Sequence, residues 1–348
     1  MSIYDKYFDF RMASDEDIDA IMKFIRENWD ENHILGNDKE FFKYFYSLPN
    51  GEFVNMFLML LKDGTIAGIN GFVRYSDEAF PKYISSAMTK VLPKLPVPMC
   101  GIELMKRFYT ALGGAMEFSS GSNEKTIVPI HEKIFGCTTG VMQQYCFLNE
   151  KADKEIISVN KNILPELQIN TGAEEVVQYS LKPCNSVKDI EIDLSIKYES
   201  LPFKDEVYFA RRYFQHPIFH YDIYSVIDTD ERALGLLVTR DVDYEGSRIT
   251  FIADYYGRLE AIEHLKEAFQ MLCEEKHTEC LSLFEFNMQE QLLVNAGFRK
   301  VTSGDDSFIV PTYFQPFWRG NIESHCVTKQ ADLVFFKATG DQDNPKYL

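Results

Sequence analysis

FVNMFLMLLKDGTIAGINGFV, residues 53–73, sets two apolar runs around Lys62-Asp63-Gly64-Thr65. Asp-Gly tolerates the positive φ of a tight turn, so the stretch predicts a β-hairpin. Upstream, FDFRMAS (8–14) alternates and closes on Ser-Asp, a helix N-cap signal. EDIDAIMKFIRENW then sets Ile18, Ile21, Met22, Ile25 and Trp29 on one helical face. DKEFFKYFYSL is a second amphipathic segment. Downstream, VPMCGIELMKRF (97–108) reads as a short apolar strand, a turn at Gly101 and a helix. AMEFSS is a strand, Asn123 follows, TIVPIHEKIFG is helical, and VMQQYCFLN is a strand closing near Asn149.

Residues 151–172 have a Lys/Glu/Asn/Pro composition and read as a connection. A second pattern begins at EEVVQYSL. HYDIYSVID and RALGLLVTRDV form a hairpin-like pair around Thr229-Asp230-Glu231, and ITFIADYYG is a strand ending in Gly257. RLEAIEHLKEAFQMLCEE is a long amphipathic helix, ECLSLFEF a strand, MQEQLLVNAGF a helix ending at Gly297, and ADLVFFKA a last strand. The halves share one grammar with little residue identity: hairpin, strand, Gly turn, helix, strand, helix, strand. The expected fold is therefore α/β with mixed sheets, in two tandem domains (1–150 and 173–348), each a twisted mixed sheet flanked by helices.

A chain of 348 residues exceeds what one core usually supports, in line with two domains. Its net charge is −17, from 53 acidic and 36 basic side chains, and its longest basic run is Arg211-Arg212. That balance excludes a nucleic-acid partner and an anionic membrane surface. Seven Cys without CxxC or metal-ligand spacing read as buried thiols in a reducing cytosol. The N-terminus lacks a signal-peptide pattern, and FVNMFLMLL is too short to span a bilayer, so the expected location is cytoplasmic.

Backbone N–H groups at Cys100, Gly101 and Ile102 would face outward at the positive end of a helix, where a phosphate can be held. Glu103 follows; it reads as a base if buried and otherwise as a first-turn residue favouring the dipole. Asp254 lies at the C-terminal end of an apolar strand, where open sheets place functional groups, or else caps the helix 258–275. Glu285 lies in an alternating strand and is expected to face outward. Arg211, Arg212, Tyr213, His216 and Tyr221 gather cations, rings and an imidazole in one segment, suited to a phosphate or sugar or to a capped helix end. His216 and His220 have zinc-like spacing, but Pro217 opposes a helix there and no third ligand is indicated, so no metal is expected.

The hairpin LKDGTIAGINGF, the Cys100-Gly101 turn and the helix end Ala296-Gly297-Phe298 together resemble the GNAT acyltransferase superfamily. WDENHIL (29–35), TTGVMQQYCFLN (138–149), RRYFQHPIFHYDIY (211–224) and KATGDQDNP (337–345) narrow the resemblance to tandem GNAT-type proteins of bacterial surface-polysaccharide gene clusters, distantly like FemABX transferases. The resemblance implies acyl transfer from acetyl-CoA, or another acyl-CoA, to a small amine such as a nucleotide-linked amino sugar. It puts the cofactor at Cys100, Gly101, Ile102 and Asn123 or at Gly257 and Arg258, with Asp254, Glu103 or His216 as candidate base. Arg211, Arg212, Tyr213, Tyr221, Asp341 and Asp343 would then bind the acceptor. The pyrophosphate loop departs from the usual pattern, keeping only Gly101 in the first half, and Gly257-Arg258 is an equal candidate. Two other readings stay open: a scaffold or ligand sensor of the same fold, and a Fem-like aminoacyl transferase, which the net charge opposes.

Overall fold

The computed structural model describes residues 2–47, 53–78, 81–162, 164, 177–314, 316–338 and 345–347. The first strand, β1 (Phe8–Ala13), leads into helix α1 (Ile18–Asn28) through a capping box in which Asp17 accepts from both the N–H and the hydroxyl of Ser14. Helix α1 buries Ile18, Ile21, Met22 and Ile25, whereas Trp29 stays exposed beneath the Lys90 ammonium. His33 caps a single helical turn, and α2 (Lys39–Tyr46), capped by Asp38, follows. The hairpin of β2 (Val54–Leu61) and β3 (Ile66–Arg74) forms as the sequence predicts, with Gly64 at φ +88°. The half closes with β4 (Tyr83–Val91), α3 (Cys100–Ala111), β5 (Met116–Ser120), α4 (Ile127–Phe135) and β6 (Thr138–Leu148).

The second half begins with β7 (Ser180–Cys184) and a helical passage, Glu206–Phe209 continuing as a wider turn Ala210–Phe214. Then come β8 (Asp222–Ile227), β9 (Ala233–Tyr244), β10 (Ser247–Gly257), α5 (Lys266–Lys276) and β11 (Cys280–Phe286). Helix α6 (Glu290–Asn295), β12 (Arg299–Val301), β13 (Ser324–Thr328) and β14 (Phe335–Phe336) complete it.

Fourteen strands among the described residues form one sheet, in the order β1-β2-β3-β4-β5-β13-β6-β11-β10-β9-β8-β7, with β12 on β6 and β14 on β11. Each half completes the other. Strand β13, from late in the chain, sits between β5 and β6: Cys326 lies opposite Ser120 on one side and Gly140 on the other. The far end of β6 reaches between β11 and β12, with Tyr145 opposite Leu283 and Lys300. The largest apolar cluster is shared as well, joining Tyr75 and Phe118 to Tyr208, Tyr256 and Phe335.

Four expectations need correction. The strand before Cys100 is not at residue 97: it ends at Val91, because Pro93, Pro96 and Pro98 withhold the N–H groups a ladder requires. The helix expected over 258–275 begins at Lys266, preceded by a tighter turn Leu259–His264. Arg258 N–H is still bonded to Leu234 C=O, which keeps the chain on the sheet beyond Gly257. Glu285 faces inward and is 2% exposed, since both faces of β11 are covered. The strand expected over 331–338 is only Phe335–Phe336. EEVVQYSL falls partly outside the described residues, and Asp341 and Asp343 fall wholly outside them.

Candidate functional site

Strands β4 and β5 run parallel but pair only at Tyr83–Met116 and Ile84–Glu117. Beyond that fork β5 pairs with β13, while β4 continues to Val91 bonded to β3 alone. The edge of β4 from Ser85 onward therefore lines a slot with N–H and C=O groups that no strand among the described residues takes up. Strand β4 also carries a bulge. Met88 lies opposite Gly71 and Ser86 opposite Phe72, so Ala87 is the extra residue. Helix α3 starts beyond the slot, with Met99 in the left-handed region at φ 59° as an N-cap that offers no side-chain acceptor. The N–H groups of Ile102 and Glu103 turn back onto Met99 C=O at 3.1 Å, so those of Cys100 and Gly101 are the ones left for an anion.

At the fork stands Glu117, 1% exposed. Neither of its oxygens meets a donor in good geometry among the described residues. Burial raises its carboxyl to about 7, and the Ser86 hydroxyl and Lys329 ammonium offset that only in part. His131 Nδ1 lies 3.6 Å from Glu117 Oε2 and 3.6 Å from Cys137 Sγ. Burial lowers His131 to about 4, with Lys329 adding to the effect, and raises the Cys137 thiol to about 11. At neutral pH the imidazole is uncharged and the thiol protonated, so Cys137 is no nucleophile. One His nitrogen facing both partners is also the wrong arrangement for a relay. Glu117 is one of two carboxyls poised to exchange a proton near pH 7; the other is Glu285 in the second half, which burial also raises to about 7 although it accepts from the Met288 N–H.

The second half repeats the slot and fills it. Strands β10 and β11 pair in parallel over Thr250–Ile252 and Leu281–Leu283, and Ala253 is bulged in the place corresponding to Ala87. Here the chain's own segment enters the gap. Phe335 and Phe336 pair with Phe286 and Glu285, Lys337 N–H donates to Phe284 C=O, and Ala338 N–H donates to Ala253 C=O at 3.1 Å.

Asp254 follows that second bulge and is 0% exposed. It accepts from Lys204 Nζ at 2.6 and 2.7 Å, from the Tyr213 hydroxyl at 2.6 Å and from the Tyr255 N–H at 2.9 Å. It does not cap the helix, which starts later, and these partners occupy both of its oxygens. Burial lowers the Lys204 ammonium against the pull of Asp254, and burial raises the Tyr213 hydroxyl. Glu103 holds Arg107 at 2.8 Å, and Arg107 also holds Asp5, so Glu103 serves as a first-turn residue with a cation one turn on. His216 Nδ1 accepts from the N–H groups of Ile218 and Phe219, and its ring stacks on Phe219. His220 pairs with Asp222 instead of joining His216, and no metal-binding group of three ligands occurs among the described residues.

Arg211 and Arg212 meet where the halves face each other. A cavity of about 70 Å³ there is lined by Tyr44, Arg74, Asp77, Tyr208, Arg211 and Arg212. Arg212 is buried and bonds the Tyr221 hydroxyl at 2.8 Å, and Arg211 bonds the carbonyls of Lys43 and Tyr44. Tyr213 and Tyr221 stand behind the cavity, not in it. Cys100 is buried with its thiol on Val97 C=O, while Gly101 and Ile102 are half-buried at the helix start. A Cβ on Gly101 would meet Val91 no closer than 3.8 Å, so sterics do not demand glycine there. Gly257 is different: a Cβ would lie 2.3 Å from Gly235 Cα, and this glycine is the contact between two strands, not a turn opening a helix. The side-chain oxygen of Asn123 accepts from the N–H groups of Lys125 and Thr126, shaping the turn into α4. Sequence reasoning missed Glu117. Its only signal is an acid in the strand that the grammar sets against a parallel neighbour, where both faces are covered.

No family model matches the sequence, and no curated protein does. Among solved structures, a GCN5-related N-acetyltransferase from Anabaena variabilis ATCC 29413 superposes with a TM-score of 0.53 at 10% identity, covering 92% of this chain and 72% of that one. A conserved protein from Enterococcus faecalis V583, a probable N-acyltransferase, gives a TM-score of 0.53 at 8% identity, covering 91% and 72%. At such identity the likeness is one of fold: a large mixed sheet flanked by helices, as the sequence predicts.

Proposed function

We propose that this chain is an acyl-CoA-dependent N-acyltransferase with a first half (1–150) that holds the thioester and a second half (173–348) that does not. The observation that carries the reading is the pair of slots, one open beside α3 and the other closed by Phe335–Ala338. A fold shared with N-acetyltransferases supports the reading by analogy. Open edge groups of β4 suit the amides of a pantetheine arm, and the N-terminus of α3 suits a pyrophosphate. When bound, the cofactor would supply the activated acyl group. Glu117, with its carboxyl near neutrality, takes a proton from the acceptor amine directly or through water. Arg211 and Arg212 give the cavity between the halves its positive charge, and the acceptor is a small amine. The resemblance points to an amino sugar carried on a nucleotide, made for a surface polysaccharide in the cytoplasm.

The test is thermal unfolding with and without acetyl-CoA, with ADP as control. A ligand at a hundred times its dissociation constant adds about 2.7 kcal/mol. That is a shift of several degrees in a chain of this size. In Gly101→Asp the helix gains a favourable first-turn charge, yet a carboxylate stands where the pyrophosphate should lie, so the shift should vanish with the fold intact. No shift for the parent protein with any acyl-CoA would overturn the reading in favour of a scaffold.

A further inference from the structure

A second hollow, of about 500 Å³, lies in the second half and is unused by the proposed chemistry. Its size is that of a small-molecule site. A short hairpin forms one wall, with Tyr313 directly opposite Trp318 and Phe314 opposite Phe317. The phenylalanine face of the hairpin is anchored on the sheet, since Phe317 stacks on Tyr244 at 4.0 Å and Phe314 meets Phe251 at 6.1 Å. The other face offers two rings to solvent, Tyr313 at 43% and Trp318 at 49% exposed. The Trp318 ring is seated on Gly320, where a Cβ would lie 2.7 Å away. Tyr347, 45% exposed, stands across the hollow, its hydroxyl on Asp30 of the first half at 3.2 Å.

Three cations, Arg240, Lys337 and Lys346, line the same hollow in a chain of net charge −17. Arg240 lies over Phe219 at 4.4 Å and Lys346 near Tyr313 at 5.9 Å, so the charges stand beside the rings. Asp243 lines it too, with both of its oxygens held by Arg248, and Arg240 and Lys337 also lie over Phe251 at 5.8 and 5.3 Å. Exposed rings bind flat aromatic ligands by stacking, and clustered cations bind phosphate. A ligand carrying both chemistries in one molecule is a nucleotide.

We infer that this hollow binds a nucleoside diphosphate, with the base against Trp318 and Tyr313 and the diphosphate toward Arg240, Lys337 and Lys346. The site stands without the acyl-transfer reading; its use as a handle on the acceptor rests on that reading. The same chemistry occurs in the ADP end of coenzyme A, and the experiment separates the two sources.

The experiment is calorimetric titration of the full chain and of Trp318→Ala and Lys346→Gln with UDP, ADP, inorganic pyrophosphate and coenzyme A. Both substituted side chains are exposed, and a melting curve checks the fold. The inference expects UDP or ADP to bind the parent protein, each variant to weaken binding about tenfold or more, pyrophosphate to bind far more weakly, and coenzyme A affinity to stay unchanged. It is overturned if neither nucleotide saturates below millimolar concentration, if both variants bind as the parent does, or if pyrophosphate binds equally well. Parallel loss of coenzyme A affinity in the variants would assign the hollow to the cofactor and overturn the separate site. The acetyl-CoA melting shift, measured on Trp318→Ala as well as on the parent protein, reports on the slot beside α3 when the variant keeps it, and fails separately from nucleotide binding in the hollow.

Discussion

Replacing Glu117 by Gln keeps the shape of the side chain and removes its ionisation. The buried carboxyl titrates near 7 in the folded chain against an ordinary 4.5, so ionising it opposes folding. The sign follows from the direction of the shift. Below about pH 4.5 the group is protonated in both states, and the substitution should be close to neutral. As pH rises, the unfolded chain ionises first, and the folded state loses stability until its own carboxyl ionises near 7. At about 1.4 kcal/mol per pH unit of displacement, the parent protein carries a penalty of about 3 kcal/mol above pH 7 that the variant escapes. Urea unfolding of both proteins at pH 4.5 and pH 8 should show the variant gaining about 3 kcal/mol over the parent at the higher pH only. Acyl transfer should move the other way: the parent's kcat/KM should rise through pH 7, and the variant should lose about a hundredfold and that rise with it. A stability difference independent of pH would refute the buried, unpartnered carboxyl, and full activity in the variant would refute its role as base.

Asp254→Ala leaves the Lys204 ammonium buried without its carboxylate and should cost about 3–5 kcal/mol in urea unfolding; a cost under 1 kcal/mol would mean that Lys204 finds other partners. Gly257→Ala drives a methyl into the Gly235 backbone at φ +146° and should lower the melting temperature more than Gly64→Ala, which meets open space at φ +88°. Equal effects would show that backbone conformation, not strand contact, governs both sites. Phe335→Ala empties a fully buried position between Phe118 and Phe286 and should cost about 3–5 kcal/mol, measured by denaturant midpoint. A small loss there would mean that the segment closing the second slot is loosely held.

Local features of the fold were legible because local signals make them. Asp63-Gly64 sets the hairpin, Ser14 with Asp17 starts α1, and the spacing in α1 names Ile18, Ile21, Met22 and Ile25 as buried, though it wrongly adds Trp29. What escaped was decided across long sequence separations. Asp254 reads as a helix cap until Lys204, fifty residues earlier, is found bonded to it. Glu285 alternates like an outward residue, but β6 and β14 flank it and the sheet is covered on both faces. Glu117 gives almost no signal of its own, because its environment comes from α4, the Cys137 turn and Lys329 together. The Arg211-Arg212 pair stood out in the sequence as its longest basic run, while its place beside Tyr44 and Asp77 in a cavity between the halves came from contacts far apart in the chain.

The exchange of β13 and β6 sets the order of events at the ribosome. Strand β5 cannot complete its pairing when residue 150 emerges, because its neighbour on that side is Ser324–Thr328, made far later. Until then the nascent first half carries an unsatisfied sheet edge, the kind of surface that recruits foreign strands. The high sequence separation of these contacts predicts slow folding of the whole chain as one cooperative unit. A stop codon or frameshift anywhere before residue 328 would therefore unmake the first half along with the second.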